Sequence, residues 1–187
     1  PNYFLEIRNK HRLHTANVAV HHSELGTAPL QVVEYAQFLF ENGDAKKGIP
    51  PRAFEHVYAV FDRDDHLTYF DALRKAQSLD RKLRNDNKKP VVFKAIASVP
   101  SFELWLLLHY EDIQAPIHRD EVMRRLRGHI PNYQKGAGRA FATTSHQLET
   151  ATARASNLAR RFSAFDDPEP FTDISELVSL LINLQKP

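Results

Sequence analysis

The chain has 187 residues with 42% hydrophobic and 26% charged content, enough for a folded core and ordinary for a globular protein. It contains no cysteine, which excludes disulfide frameworks and thiolate metal sites. Its longest apolar stretches, such as Trp105 to Leu108, are far too short to span a bilayer, and no signal peptide is evident, so the cytoplasm is the expected compartment.

Residues from Pro1 to about Leu13 are expected to form a helix, with Pro1 suited to the first turn. Ala16 to His21 alternates in the manner of a strand. Helical spacing returns from Pro29 to about Asn42 through Val32, Val33, Ala36, Leu39 and Phe40, until Gly43 stops it. After a polar loop with Pro50 and Pro51, the run Val57-Tyr58-Ala59-Val60-Phe61 reads as a buried strand that ends in Asp62-Arg63-Asp64-Asp65-His66. A long amphipathic helix is expected from Leu67 to about Arg84. A lysine-rich turn and a strand over Val91 to Ala97 follow, and then a nearly all-apolar helix from about Ser101 to Tyr110.

This alternation implies an α/β domain over residues 1–116, with a parallel sheet flanked by helices. Strand signals cease after Pro116. Helices are expected at about 118–128, 142–164 and 173–184, broken at 131–136 and 166–170, so residues 117–187 read as a helical extension packed on the first domain. No internal repeat or low-complexity tract is present.

In sheets of this kind ligands bind at the carboxyl ends of strands, where Asp62 and Asp64 fall. In an extended chain positions i and i+2 point to one side, and two carboxylates so placed repel unless a cation or shared proton neutralises them. Oxygen ligands suit Mg²⁺ or Mn²⁺; a polar turn capping a strand is the competing reading. Glu103 has two readings as well. Its buried carboxylate either contacts the amino end of its helix or serves as a further metal ligand. Lys135, in a loop with Gly136 and Gly138, is either solvated or a point charge for phosphate. His21, His22, His66 and His109 lack metal-ligand spacing, with His66 and His109 at most supporting a site, and Trp105 reads as core. Residues 118–161 carry nine Lys/Arg against three acids, leaving the remainder of the chain at −4. That asymmetry suits either a polyanion-binding surface or a solvated helical face.

Together these pieces resemble the RloB-like family of bacterial restriction and abortive-infection loci, which is related to the Toprim fold. The resemblance rests on Pro1-Asn2-Tyr3-Phe4, on Val60-Phe61-Asp62-Arg63-Asp64-Asp65-His66, and most specifically on Phe102-Glu103-Leu104-Trp105-Leu106-Leu107-Leu108-His109. Tyr133-Gln134-Lys135-Gly136, Pro170-Phe171-Thr172-Asp173 and Leu177-Val178 extend it over essentially the whole chain. It implies a Toprim-like Mg²⁺- or Mn²⁺-dependent nuclease of a phage-defence system, cleaving DNA or RNA and working with an AAA-type ATPase partner. Asp62, Asp64 and Glu103 would hold metal, and Lys135 would neutralise developing charge. The family pattern places a strand and a Cys-Glu-Gly-type turn ahead of the Pro-x-Tyr-Phe piece, so its first-strand glutamate is expected outside this sequence, which reads as a fragment. Two rival readings stay open. One is a haloacid-dehalogenase-like phosphatase with Asp62 as nucleophile and Asp64 as acid/base, although His66 stands where Thr or Val is usual. The other is a non-catalytic module that binds an ATPase.

Overall fold

The computed structural model describes residues 1–13, 18–166 and 168–184. Eight α-helices and three strands are formed among them: α1 (Asn2–Lys10), α2 (Pro29–Asn42), β1 (His56–Asp62), α3 (Tyr69–Leu79), β2 (Val92–Val99), α4 (Glu103–Leu107), α5 (Arg119–His129), α6 (Ala140–Thr144), α7 (Leu148–Ala159), β3 (Phe171–Thr172) and α8 (Ile174–Asn183). The fold is mixed α/β, a three-stranded sheet in the order β1-β2-β3 flanked by helices.

β1 and β2 run parallel. Val92 N–H bonds the Glu55 carbonyl at one end of the pair, and Arg63 N–H bonds the Ser98 carbonyl at the other. β3 differs from expectation. It is a strand of two residues beyond Pro116, antiparallel to β2, with Ser98 opposite Thr172 and Val99 opposite Phe171. Two residues carry too little pattern to be seen in sequence, and the pair is made by long-range contacts, including a buried Ser98–Thr172 hydroxyl bond of 2.9 Å. The strand expected over 16–21 is not formed at Val18 to His21, where the backbone is irregular; Ala16 and Asn17 lie outside the described residues.

The residues divide into two compact units. One comprises 1–13, 62–64 and 97–187; the other comprises 14–61 and 65–96. In the second unit α2 packs on α3, burying Val33, Tyr35 and Phe40 with Tyr69, Ala72, Leu73 and Ala76. Gly43 ends α2 with φ +67°, and a Cβ there would stand 2.5 Å from the Ile49 carbonyl oxygen, so only glycine lets the chain turn back at this point.

The first unit is built round α4. Leu104 to Leu108 have no exposed surface, which is why the sequence there is apolar on every side. α5 and α7 pack against α4, while α1 meets α6 and α8. Trp105 belongs to this core, and its indole N–H donates to the Tyr3 hydroxyl at 2.8 Å. The long helix expected over 142–164 is interrupted. α6 runs into a single 3₁₀ turn at Ser145–Gln147 before α7 begins, and the chain leaves the helix after Ala159. No helix among the described residues is long and apolar enough to cross a membrane.

Candidate functional site

Four residues singled out from the sequence lie in the first unit and are brought together there. Asp62 is the last residue of β1, and its Oδ1 accepts the Phe102 backbone N–H at 2.8 Å. Glu103, the next residue, opens α4 with only 2% of its surface exposed. Its Oε1 accepts a hydrogen bond of 3.0 Å from the Tyr133 hydroxyl. Lys135, from the loop between α5 and α6, places Nζ 3.5 Å from Asp62 Oδ2 and 3.8 Å from Glu103 Oε2. That loop is tethered to α1 by a bond from the Asn2 side-chain amide to the Gly136 carbonyl.

Asp64 reaches the same neighbourhood by a different route from the one its spacing suggests. β1 ends at Asp62, and Asp64 adopts a left-handed turn with φ +38°. Its N–H is held by the Pro100 carbonyl at 3.0 Å, a contact set by the loop after β2 and invisible in the local pattern. Asp64 Oδ1 is buried and accepts no hydrogen bond among the described residues; Arg119 Nη1 stands 3.7 Å away, at ion-pair range only.

The electrostatics follow from this crowding. Burial pushes the Asp62 carboxyl up to about 6; the Lys135 ammonium opposes the rise, and the nearby Glu103 and Asp64 carboxylates add to it. Lys135 is held above the usual lysine range: desolvation lowers it, but attraction to Glu103, Asp62 and Asp64 outweighs that loss. The Tyr133 phenol is raised by burial and then by Glu103. Tyr133 therefore stays a hydrogen-bond donor across physiological pH. Tyr133 stands in the Tyr-Gln-Lys-Gly piece of the family resemblance, but its bond to Glu103 spans thirty positions and is not visible in local pattern.

His66 is exposed, while His109 is buried with Nδ1 against the Trp105 carbonyl at 2.9 Å. Among the described residues no three acidic or histidine side chains stand close enough together to form a ready-made metal cage. The donor set still fits a hard divalent ion. It is all oxygen, one buried carboxylate oxygen accepts no hydrogen bond, and Mg²⁺ commonly uses one or two carboxylates while keeping several waters. Asp62 and Asp64 would hold such an ion, with Glu103 reached through water.

A carboxylate cluster at the end of β1, an edge strand of the three-stranded sheet, compensated by a lysine, gives this mixed α/β protein a candidate cation site. A family model described as RloB-like protein matches residues 1–181, and the chain belongs to that family. No curated protein and no solved structure matches it.

Proposed function

We propose that the protein is a metal-dependent nuclease of a phage-defence system, cleaving phosphodiesters of DNA or RNA. The observation that carries this reading is the convergence of Asp62, Asp64 and buried Glu103 around the Lys135 ammonium. Three carboxylates against the Lys135 ammonium leave an excess of two negative charges in a partly desolvated corner, which a divalent ion offsets. A bound Mg²⁺ or Mn²⁺ would act as a Lewis acid toward the phosphate and lower the pKa of a water nucleophile.

The chain's own groups have definable parts. The Phe102 amide fixes one oxygen of Asp62 and leaves the other facing the site. Tyr133 holds Glu103 in one orientation. Lys135, with 61% of its side chain exposed, is near enough to the carboxylates to offset their charge and open enough to meet a phosphate oxygen. An AAA-type ATPase partner is part of the same proposal and rests on family resemblance alone.

Calorimetric titration with Mn²⁺, comparing the wild-type chain with a protein carrying Asp62→Ala and Asp64→Ala, tests the reading. The double variant is expected to lose binding, and equal binding by both proteins would remove the site. Trapping a covalent phosphoenzyme on Asp62 would instead favour the dehalogenase-type phosphatase.

A further inference from the structure

The cations of residues 118–161 are largely occupied within the protein. Arg124 chelates Glu121 at 2.6 and 2.7 Å, and Arg125 and His129 both engage Glu111. Arg154 donates to the Leu108 carbonyl, Arg161 to Gln114 and Arg160 to Asn157. Arg119 and Lys135 face the carboxylate site. A basic surface for a polyanion must therefore be sought elsewhere.

It is present in the second unit. Between α3 and β2 the chain forms a hairpin, closed by an antiparallel bridge between Arg84 and Pro90. Residues 81–89 hold five cations and one acid. Arg81, Lys82, Arg84, Lys88 and Lys89 are all exposed, and among the described residues the first four pair with no acid, while Lys89 stands 3.9 Å from Glu55. The hairpin is braced from within. Arg81 N–H bonds the Val91 carbonyl, Val91 N–H bonds Leu83, and buried Asn85 takes the Lys88 and Lys89 amides on its carbonyl and side-chain oxygens. The Asp86 amide bonds the Arg52 carbonyl at 2.9 Å, which brings a further exposed arginine beside the tip.

The backbone beneath these cations is unfavourable for them. Arg52, Arg81 and Lys88 adopt φ of +57°, +58° and +61°, in the left-handed region where glycine or asparagine is preferred. They account for three of the six non-glycine residues in that region among those described. Arg81 follows the end of α3, a place where glycine ordinarily closes a helix. Arg12 and Arg139 share this conformation elsewhere, but at Arg52, Arg81 and Lys88 the cations that bear its cost also cluster with the exposed Lys82, Arg84 and Lys89.

We propose that the 81–89 hairpin with Arg52 is a docking surface for the phosphate backbone of a nucleic acid, bound without regard to base sequence. Clustered and pre-ordered cations, all but Lys89 without an acidic partner among the described residues, are what phosphate binding requires, because each releases condensed counterions and little ordering entropy is given up on binding. This deepens the proposed function by giving the polyanion a surface, yet it makes no use of the carboxylate site.

The test is fluorescence anisotropy in EDTA with labelled single-stranded RNA and labelled duplex DNA, at low and near-physiological salt. Without metal, binding is read separately from cleavage, so failure of the nuclease reading and failure of this one are distinguishable. The decisive variant joins Arg81→Gly with Lys88→Gly, which deletes two charges while relieving both left-handed positions. Its melting temperature should hold or rise. Its affinity should fall roughly tenfold or more at low salt, and the slope of log affinity against log salt should become shallower by about 0.9 for each duplex phosphate that is no longer neutralised. Unchanged affinity in that folded variant would overturn the proposal. So would an equal or larger fall in affinity from Arg124→Glu with Arg127→Glu on α5. A third overturning result is loss of poly-glutamate binding with nucleic-acid binding intact, which would assign the hairpin to an acidic protein.

Discussion

Asp62 shows how one residue's surroundings can work against the fold and suit a ligand. In the folded chain its carboxyl titrates at about 6, against the ordinary value of 3.8, because burial and two neighbouring carboxylates disfavour the anion more than Lys135 favours it. The folded state therefore binds more protons than the unfolded one between those values. The contribution of Asp62 to stability is therefore most favourable below about pH 4 and falls as pH rises toward 6, with the penalty remaining above that. The difference corresponds to about 2–3 kcal/mol for this largely buried side chain. Asp62→Asn keeps an acceptor for the Phe102 amide and deletes the charge. In metal-free thermal melts it should be more stable than wild type at pH 8, with the difference shrinking below pH 4. Added Mn²⁺ should narrow the gap at pH 8 by stabilising the wild type alone. A difference constant across pH would show that Asp62 is not held out of its normal range.

The element that presents the site is α4, and its placement depends on α1. Tyr3 lies edge-on to Phe102 at 5.3 Å and to Phe141 at 5.4 Å, while its hydroxyl accepts the buried Trp105 indole N–H. Phe102 is thus fixed by its ring, and its amide fixes Asp62. Tyr3→Phe retains the aromatic packing and leaves the Trp105 N–H without a partner, at a cost of about 1–3 kcal/mol. Urea denaturation should show that change as a lower midpoint with unchanged slope. An unaltered midpoint would mean that the bond contributes nothing beyond ring packing. α5 uses its charges differently. Asp120 and Glu121 sit in its first turn and Arg127 and His129 in its last, which matches the helix dipole. Much of its basic character serves the helix and its link to Glu111 rather than an outside ligand.

Under the two proposals, binding and chemistry fall to different sets of residues, and kinetics can separate them. Glu103→Gln preserves shape and the Tyr133 hydrogen bond while removing charge from the buried corner. In the active protein it should lower kcat by roughly a hundredfold or more, the scale of deleting a charge-stabilising group, with nucleic-acid affinity in EDTA unchanged. The hairpin variant should do the converse, raising KM with kcat nearly preserved at saturating substrate. Cleavage by Glu103→Gln at the wild-type rate would reduce Glu103 to a structural carboxylate at the start of α4.

The family, the α/β class and most of the elements were legible in the amino-acid sequence, because these are properties of local pattern. The β-branched and aromatic run of β1, the Pro29-to-Gly43 bounds of α2 and the apolar α4 each carry their own signal within about a dozen residues. Asp62 at a strand end and Glu103 at a helix start could be placed in the same way. Which charges meet is a matter of the folded chain. The turn that carries Asp64 is held by Pro100, β3 exists only through pairing with β2, and Tyr133 and Lys135 meet Glu103 from about thirty positions away. The basic count followed the same rule. Arginines that look available in the C-terminal helices are bonded internally, whereas a lysine-rich turn that looked unremarkable is an ordered array of exposed cations. Charge is additive along a sequence, but whether a charge is available depends on its neighbours in space.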